Sequence, residues 1–122
     1  MGDGFRDLRV WQLAKELAVE VYRVTGAGSL ARDFGLCDQM RRAAVSIPSN
    51  IAEGDERDTN KDSVRFLYIA KGSLAELRSQ LEIARDVGLL SPDAQAALEA
   101  KCVRLGRMLG APIKTRSATP HP

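Results

Sequence analysis

The sequence predicts an all-α fold, an antiparallel up-down-up-down four-helix bundle, on three observations. Apolar residues recur at steps of three and four in four successive segments, as on the buried stripe of a helix. Short connections with glycine or proline separate the segments, which favours antiparallel neighbours. No useful stretch alternates apolar and polar residues as strands do. We expect one domain over residues 1–122, ordered from about 5 to 111, with loose ends 1–4 and 117–122.

The first two helices have clear predicted ends. The first covers about residues 8–25, and the glycine-containing stretch 26–28 ends it. The second covers about residues 33–53, with Asp33 as its N-cap and Gly54 as its stop. Trp11 lies on the apolar stripe of the first helix, so we expect it to anchor that helix in the core.

Pro48 falls inside the apolar pattern of the second helix and leaves two alternatives. A proline there removes a backbone hydrogen bond and clashes with the carbonyl of Ala44. The first alternative is a kink between Ala44 and Pro48, after which the helix resumes. The second is two shorter helices broken at Ile47.

The third and fourth helices are bounded by capping residues. The third covers about residues 60–87, after Thr59 as its cap. The fourth covers about residues 91–110, starts with Ser91 as its cap, and is not expected to continue because Pro112 follows.

The third helix has a wide apolar arc that predicts self-association. One stripe consists of Phe66, Ala70, Leu77, Leu81, Ala84 and Val87. Leu67, Tyr68 and Leu74 lie off this stripe, where a lone bundle would leave them exposed. We therefore expect a homo-oligomer with closed symmetry.

Few side chains suited to catalysis or metal binding are present. The net charge of +2 does not by itself indicate a nucleic-acid partner. His121 is the only histidine, and Cys37 and Cys102 do not have a metal-binding spacing. No glycine-rich phosphate loop and no Glu-x-x-His pair occurs. We therefore expect no enzymatic activity, no metal and no cofactor.

The same composition predicts a cytoplasmic protein with free thiols. Two cysteines outside a CxxC motif are typical of a reducing compartment. The apolar runs are too short to cross a bilayer, so no membrane association is expected.

The stretch 101–116 concentrates positive charge. It holds five basic residues and no acid, namely Lys101, Arg104, Arg107, Lys114 and Arg116. Such a run complements the negative end of a helix, or it contacts phosphate.

The second helix carries an unusual polar stripe. Its members recur at steps of three and four and so share a face: Gln39, Arg42, Ser46, Asn50 and Glu53. The third helix has a similar set that includes Ser73 and Glu76, next to Gly72, which would let another helix come close. Small and amide side chains beside an arginine suit a structural hydrogen-bond network, a subunit contact or a ligand contact. The residues alone leave these three interpretations open.

Three blocks of sequence carry a family resemblance. FRDLRVWQLA at 5–14, QMRRAAVSIPSNIAEG at 39–54 and RFLYIAKGSLAEL at 65–77 resemble the four-helix-bundle proteins encoded within intervening sequences of bacterial 23S ribosomal RNA genes. The resemblance covers about residues 5–90. It implies a four-helix bundle, a homo-oligomer with a ring of five subunits, and no established catalytic activity. Accessory proteins of diversity-generating retroelements are similar in fold, which implies RNA or DNA and a polymerase-type protein as partners.

The leading functional hypothesis is a non-enzymatic, oligomeric accessory or scaffold protein associated with nucleic acid. The candidate phosphate contacts are Arg41, Arg42, Arg65, Lys71, Arg104 and Arg107. One alternative is a protein-interaction module that does not bind nucleic acid. Another is a small-molecule or enzymatic site at a subunit junction, which requires Glu53 and Glu76 to face each other near Arg42.

Overall fold

The computed structural model describes residues 2–118, and this part of the chain folds into four α-helices without a strand. The helices are α1 (Arg9–Thr25), α2 (Phe34–Asp55), α3 (Asn60–Asp86) and α4 (Pro92–Ala118). Short 3₁₀ turns, Gly4–Asp7 and Ser29–Arg32, precede α1 and α2. The predicted all-α fold class is confirmed.

Neighbouring helices run in opposite directions, as their contacts show. Ser46 in the middle of α2 meets Ser73 in the middle of α3, whereas Gly54 near the end of α2 meets Ser63 near the start of α3. Ser63 in turn binds Arg116 near the end of α4. The helix α1 completes the bundle by packing against α2 and α4. The order is therefore up-down-up-down, as the sequence predicts.

Three predicted caps hold the starts of the helices. Asp33, Thr59 and Ser91 each accept a hydrogen bond from the backbone amide three residues further on, at 3.0, 3.2 and 3.1 Å. Each satisfies one of the amides that a helix start leaves without a partner.

The helix α2 continues through Pro48, so the alternative of two shorter helices is wrong. A proline inside a helix costs about 3 kcal/mol. However, Ala44, Ile47 and Ile51, which lie on both sides of Pro48, are completely buried. Burial of the two isoleucine side chains is worth about 3–6 kcal/mol, so core packing outweighs the lost hydrogen bond.

The helix α4 also continues through a proline, which corrects the predicted end at Gly110. It passes Pro112 because the following turns are held by the rest of the bundle. Ile113 is buried, and the Arg116 guanidinium donates a hydrogen bond to the buried Ser63 hydroxyl at 2.6 Å. The same guanidinium lies 3.8 Å from the Asp55 carboxylate. Local sequence signals cannot reveal these long-range contacts.

The predicted loose ends are only partly described. Gly4 belongs to a 3₁₀ turn, and Ser117 and Ala118 are helical rather than loose. Met1 and residues 119–122, including His121, lie outside the described residues.

The helix α2 ends at Asp55, one residue after the predicted stop at Gly54, and Gly54 itself is buried against α3. A Cβ atom there would lie 3.1 Å from the Ser63 carbonyl oxygen and 3.4 Å from the Phe66 Cβ. Gly72, for which a close helix approach is predicted, faces open space, and a Cβ atom there would meet no atom within 4 Å. The close approach of two helices is therefore at Gly54.

The core differs from the predicted stripe of α3. Leu67 and Leu74 are buried because Leu67 lies against Gly54 of α2 and Leu74 lies against Gly106 of α4. Val87, predicted to be in the stripe, is 62% exposed. Trp11 lies at the edge of the core, only partly buried, so the prediction that it anchors α1 inside the core is wrong.

We predict opposite effects of one substitution at two glycines. Gly72→Ala should raise the free energy of unfolding by about 0.5–1 kcal/mol, because alanine restricts the unfolded chain and meets no neighbour. Gly54→Ala should lower it by about 1–3 kcal/mol, because the methyl group must displace the α3 backbone. Urea unfolding of both variants measures these changes. Stabilisation by Gly54→Ala would show that the two helices are not packed this closely.

Candidate functional site

Three residues of the predicted polar stripe form a hydrogen-bonded cluster, the polar seam, between α2 and α3. The hydroxyls of Ser46 and Ser73 bind each other at 2.8 Å. The Asn50 side-chain amide donates to the Ser46 hydroxyl at 2.9 Å and to the Ser46 carbonyl oxygen at 2.8 Å. Ser73 is buried and the other two are half-buried, so the seam satisfies polar groups where the two helices touch.

The other members of the predicted stripe lie outside the polar seam. Gln39, Arg42, Glu53 and Glu76 are exposed. Arg42 pairs with Asp38 on its own helix at 2.9 Å, and Glu53 pairs with Arg57. The outer edge of the stripe is therefore a solvated helix surface.

Within one chain, Glu53 and Glu76 do not face each other near Arg42, so one bundle alone does not form the predicted carboxylate site. The contact between Ser46 and Ser73 fixes the register of α2 and α3. Glu76 lies one turn beyond this contact in one direction, and Glu53 two turns beyond it in the other. At 1.5 Å per residue, the two carboxylates lie about 15 Å apart along the bundle.

Three of the six candidate phosphate contacts already have partners within the chain, and for one of them, Arg65, the partner is only the Phe66 ring, 5.5 Å from the guanidinium. The Arg41 guanidinium stacks on the Tyr22 ring, 4.5 Å from its centroid, and donates a hydrogen bond to Thr25 at 2.8 Å. The Arg42 guanidinium is paired with the Asp38 carboxylate. Arg41 is held by Tyr22 and Thr25 and Arg42 by a carboxylate, so both are less available to a phosphate than cations without such partners.

Arg65 and the three remaining candidates lie where α3 and α4 have no acidic residues. The segments 63–75 of α3 and 100–118 of α4 contain no Asp or Glu. They pack side by side: a Cβ atom on Gly106 would lie 3.5 Å from the Leu74 side chain, and Arg116 binds Ser63. The two acid-free segments therefore lie side by side at one end of the bundle.

Seven cations lie on these two segments, and five of them are exposed. Lys101 pairs with Glu20 of α1, and Arg116 binds Ser63 and Asp55. Within residues 2–118 the remaining five, which we call the basic face, make no ion pair: Arg65, Lys71, Arg104, Arg107 and Lys114. The sequence identified four of them as phosphate candidates, and the fold adds Lys114.

The opposite half of the α3 and α4 pair has a different electrostatic character. The Arg78 guanidinium donates to both carboxylate oxygens of Glu99, at 3.0 and 2.6 Å, and joins the two helices. The hydrogen bond from Arg78 holds the pKa of Glu99 below its ordinary value. From this pair toward the end of α3 and the start of α4, acidic residues lie among the cations.

Both cysteines are buried free thiols, as the sequence predicts. The Cys37 thiol donates to the carbonyl oxygen of Leu30 at 3.0 Å, which ties α2 to the turn before it. Burial raises the pKa of Cys102 to about 12. A thiol with so high a pKa is a poor nucleophile and metal ligand.

Sequence reasoning missed an apolar groove between α1 and α2, the aromatic groove. It has a volume of about 500 Å³ and is lined by Phe5, Trp11, Lys15, Ala18, Val19, Tyr22, Val45, Pro48, Ser49 and Ala52. Phe5 and Trp11 contact each other edge to face, with ring centroids 5.1 Å apart. Phe34, which is 81% exposed, shares a neighbouring hollow with Arg41. Four of the six aromatic residues thus lie on one side of the bundle, a clustering that only the pairing of α1 with α2 produces.

Residues 2–118 also lack two further kinds of feature, a metal-binding cluster and a membrane-spanning helix. No cluster of three or more His, Cys, Asp or Glu side chains is placed to hold a metal ion. Among the described helices, none has the length and apolar character needed to cross a membrane.

The fold and these surfaces define a small helical-bundle protein with distinctive surface features rather than an enclosed pocket. The chain belongs to the 23S rRNA-intervening sequence protein family, whose sequence profile matches residues 6–111. The family resemblance of the three sequence blocks is therefore confirmed.

A solved structure has the same fold. It is the crystal structure of a protein of unknown function from the S23 ribosomal protein family of Bacteroides thetaiotaomicron. The TM-score is 0.79 at 21% sequence identity, and the alignment covers 86% of this chain and 98% of that chain. At this identity the likeness shows the fold alone. A search of curated proteins gave no match.

We predict that the polar seam stabilises the contact of α2 with α3. Ser73→Ala should lower the free energy of unfolding by about 1 kcal/mol, because the Ser46 hydroxyl loses one partner but keeps Asn50. The double variant Ser46→Ala/Ser73→Ala should lose less than the sum of the single variants, since both remove the same bond. Thermal or urea unfolding measures the cycle, with exposed Ser79→Ala as the control. Strictly additive losses would show that the two hydroxyls do not interact.

Proposed function

We propose that this chain is a non-enzymatic, self-associating accessory protein of the cytoplasm that binds RNA or DNA through its basic face. The observation that carries the proposal is the packing of two acid-free segments, one of α3 and one of α4, against each other. Exposed arginines and lysines without nearby carboxylates are free to replace the counterions of phosphates. A single basic face of five cations supports weak, sequence-independent binding.

Self-association would multiply this weak binding. A symmetric oligomer repeats the basic face around its axis, and each additional contact becomes intramolecular once the first has formed. The family resemblance implies a ring of five subunits and a polymerase-type protein as a further partner, so both belong to the proposal. The separation of Glu53 from Glu76 supports the non-enzymatic part of it.

The second candidate is a protein-interaction module that does not bind nucleic acid. The aromatic groove favours it, because exposed aromatic side chains together with arginine are typical of protein interfaces. The two candidates differ in whether the basic face retains nucleic acid.

Charge reversal on the basic face tests the proposal. Arg104→Glu/Arg107→Glu should weaken binding to a mixed RNA and DNA pool at least tenfold, because two phosphate contacts become repulsive. The slope of log affinity against log salt should fall by about 1.4 for single strands. Fluorescence anisotropy at two salt concentrations measures both quantities.

The matched control is Arg23→Glu/Arg32→Glu, which changes the net charge equally at exposed positions outside the basic face. The proposal expects this control to bind within about threefold of the wild type, because the phosphate contacts are unchanged. Equal loss in both double variants would show that only net charge matters. Affinity that does not change with salt would contradict phosphate binding altogether.

A further inference from the structure

Three aromatic rings line the aromatic groove, and each has one cation over its face. The pairs, with the distance from the cation to the ring centroid, are Arg6 on Phe5 at 4.7 Å, Lys15 on Trp11 at 5.5 Å and Arg41 on Tyr22 at 4.5 Å. Within residues 2–118 none of these three cations makes an ion pair. The groove therefore presents the same combination three times, a ring beside a positive charge that has no carboxylate partner.

The acidic side chains nearest to the groove lie at its two ends and do not line it. Asp38 shares a hollow with Arg41, but its carboxylate is paired with Arg42 at 2.9 Å. At the other end the Glu56 carboxylate lies beside the 3₁₀ turn, where a Cβ atom on Gly4 would be 3.6 Å from it. The unpaired charge along the groove is thus positive, which favours an occupant that carries negative charge.

The length of the groove suits a short stretch of a polymer. Trp11 and Tyr22 are eleven residues apart on α1, so their rings are about 16 Å apart along the helix. At about 3.4 Å per stacked nucleotide, this distance spans four or five nucleotides. Between the two rings the groove is lined by apolar residues that include Ala18, Pro48 and Ala52, against which planar groups can lie.

We infer that the aromatic groove binds the unpaired bases of a single-stranded nucleic acid. Each nucleotide brings one planar base and one negative phosphate, which is the ratio in which the groove presents rings and cations. Stacking of a base on an exposed ring is stronger than the contact of an exposed cation with that ring. The base therefore takes the ring face, and the displaced cation pairs with the phosphate.

This inference extends the proposed function to a second surface with a different preference. The basic face contacts phosphates and so accepts duplexes and single strands alike, whereas the groove requires bases that are free to stack. The two surfaces lie at the same end of the bundle. Leu8 at the start of α1 and Pro112 near the end of α4 line one hollow, with the exposed Arg9 beside them.

The fluorescence of Trp11 tests the inference directly, because it is the only tryptophan of the chain and lies in the groove. A short thymidylate strand should quench it with saturation, and a uridylate strand of the same length should do the same, since stacking uses the base face. An abasic strand of equal length and charge, and a duplex, should leave it nearly unchanged. Equal quenching by the abasic strand would overturn the inference, because phosphates alone would then explain the signal.

Substitution of Tyr22 separates base stacking from charge. Tyr22→Ala should weaken binding of the thymidylate strand about fivefold or more and leave the abasic strand unaffected, whereas Tyr22→Phe should keep the wild-type affinity. Tyr68→Ala is the matched control, because Tyr68 is similarly exposed, at 54% against 47%, but lies outside the groove. Fluorescence anisotropy of labelled strands measures these affinities, and equal loss in Tyr22→Ala and Tyr68→Ala would contradict stacking in the groove.

A second variant guards against a change in folding. Val45→Asp places a negative charge in the groove at a side chain that is 41% exposed, so its melting curve should stay near normal. It should weaken thymidylate binding and abolish the quenching of Trp11. The basic-face variant Arg104→Glu/Arg107→Glu should instead weaken binding of the thymidylate and abasic strands alike, so the two surfaces are measured separately.

The other possible occupants give different results. If folded Val45→Asp and Tyr22→Ala bind the thymidylate strand like the wild type, base binding in the groove is wrong, and the groove is left to the protein partner of the second candidate. A changed sedimentation mass of Val45→Asp at unchanged strand affinity would assign the groove to a second copy and likewise overturn the inference. Neither result affects phosphate binding by the basic face.

Discussion

The close packing of α2 on α3 is the constraint on which the rest of the bundle depends. The contact consists of small and hydroxyl-bearing residues, with Gly54 at one end and the polar seam in the middle. Because little side chain lies between the backbones, α2 can bury Ile47 and Ile51 beside α3 despite Pro48. Dispersion contacts in such a tight interface compensate for the hydrogen bond that proline removes.

This packing also decides which surfaces remain for other molecules. With one side on α3 and another in the core, α2 has a third side that meets α1 only partly and leaves the aromatic groove open. The helix α3 is covered by α2 and α4, and Tyr68, Ile69 and Ile83 on its outer surface stay exposed. The exposed Lys71 belongs both to this outer surface and to the basic face, at the end where the start of α3 meets the end of α4.

Local sequence signals predicted the number of helices, their order and three of their caps, because each depends on residues close together in the chain. The predictions were wrong where contacts between residues far apart in the chain determine the structure. Pro112 carries a local signal that ends a helix, yet α4 continues past it, where Arg116 binds Ser63 of α3. The burial of Leu67 likewise depends on a distant contact, with Gly54 of α2.

In the candidate site, too, features within one helix were predictable from the sequence, whereas contacts between helices were not. Helical spacing placed Ser46 and Asn50 on one face and drew attention to Ser73, but the bond between the serines depends on the register of α2 against α3. The cationic run of α4 was visible in the sequence, whereas its position beside the acid-free half of α3 was not. The aromatic groove combines residues from a 3₁₀ turn and two helices, so no single segment contains its pattern.

Native-state hydrogen exchange of α2 tests the close packing on α3 most directly. Residues 49–55 follow a proline and would fray if only their own helical bonds held them. Close packing predicts that the Ile51 and Gly54 amides exchange only by global unfolding, with the same free energy as the Ala44 amide before the proline. Exchange of residues 49–55 at a clearly lower free energy than Ala44 would contradict it, because the end of α2 would then open without the rest of the bundle.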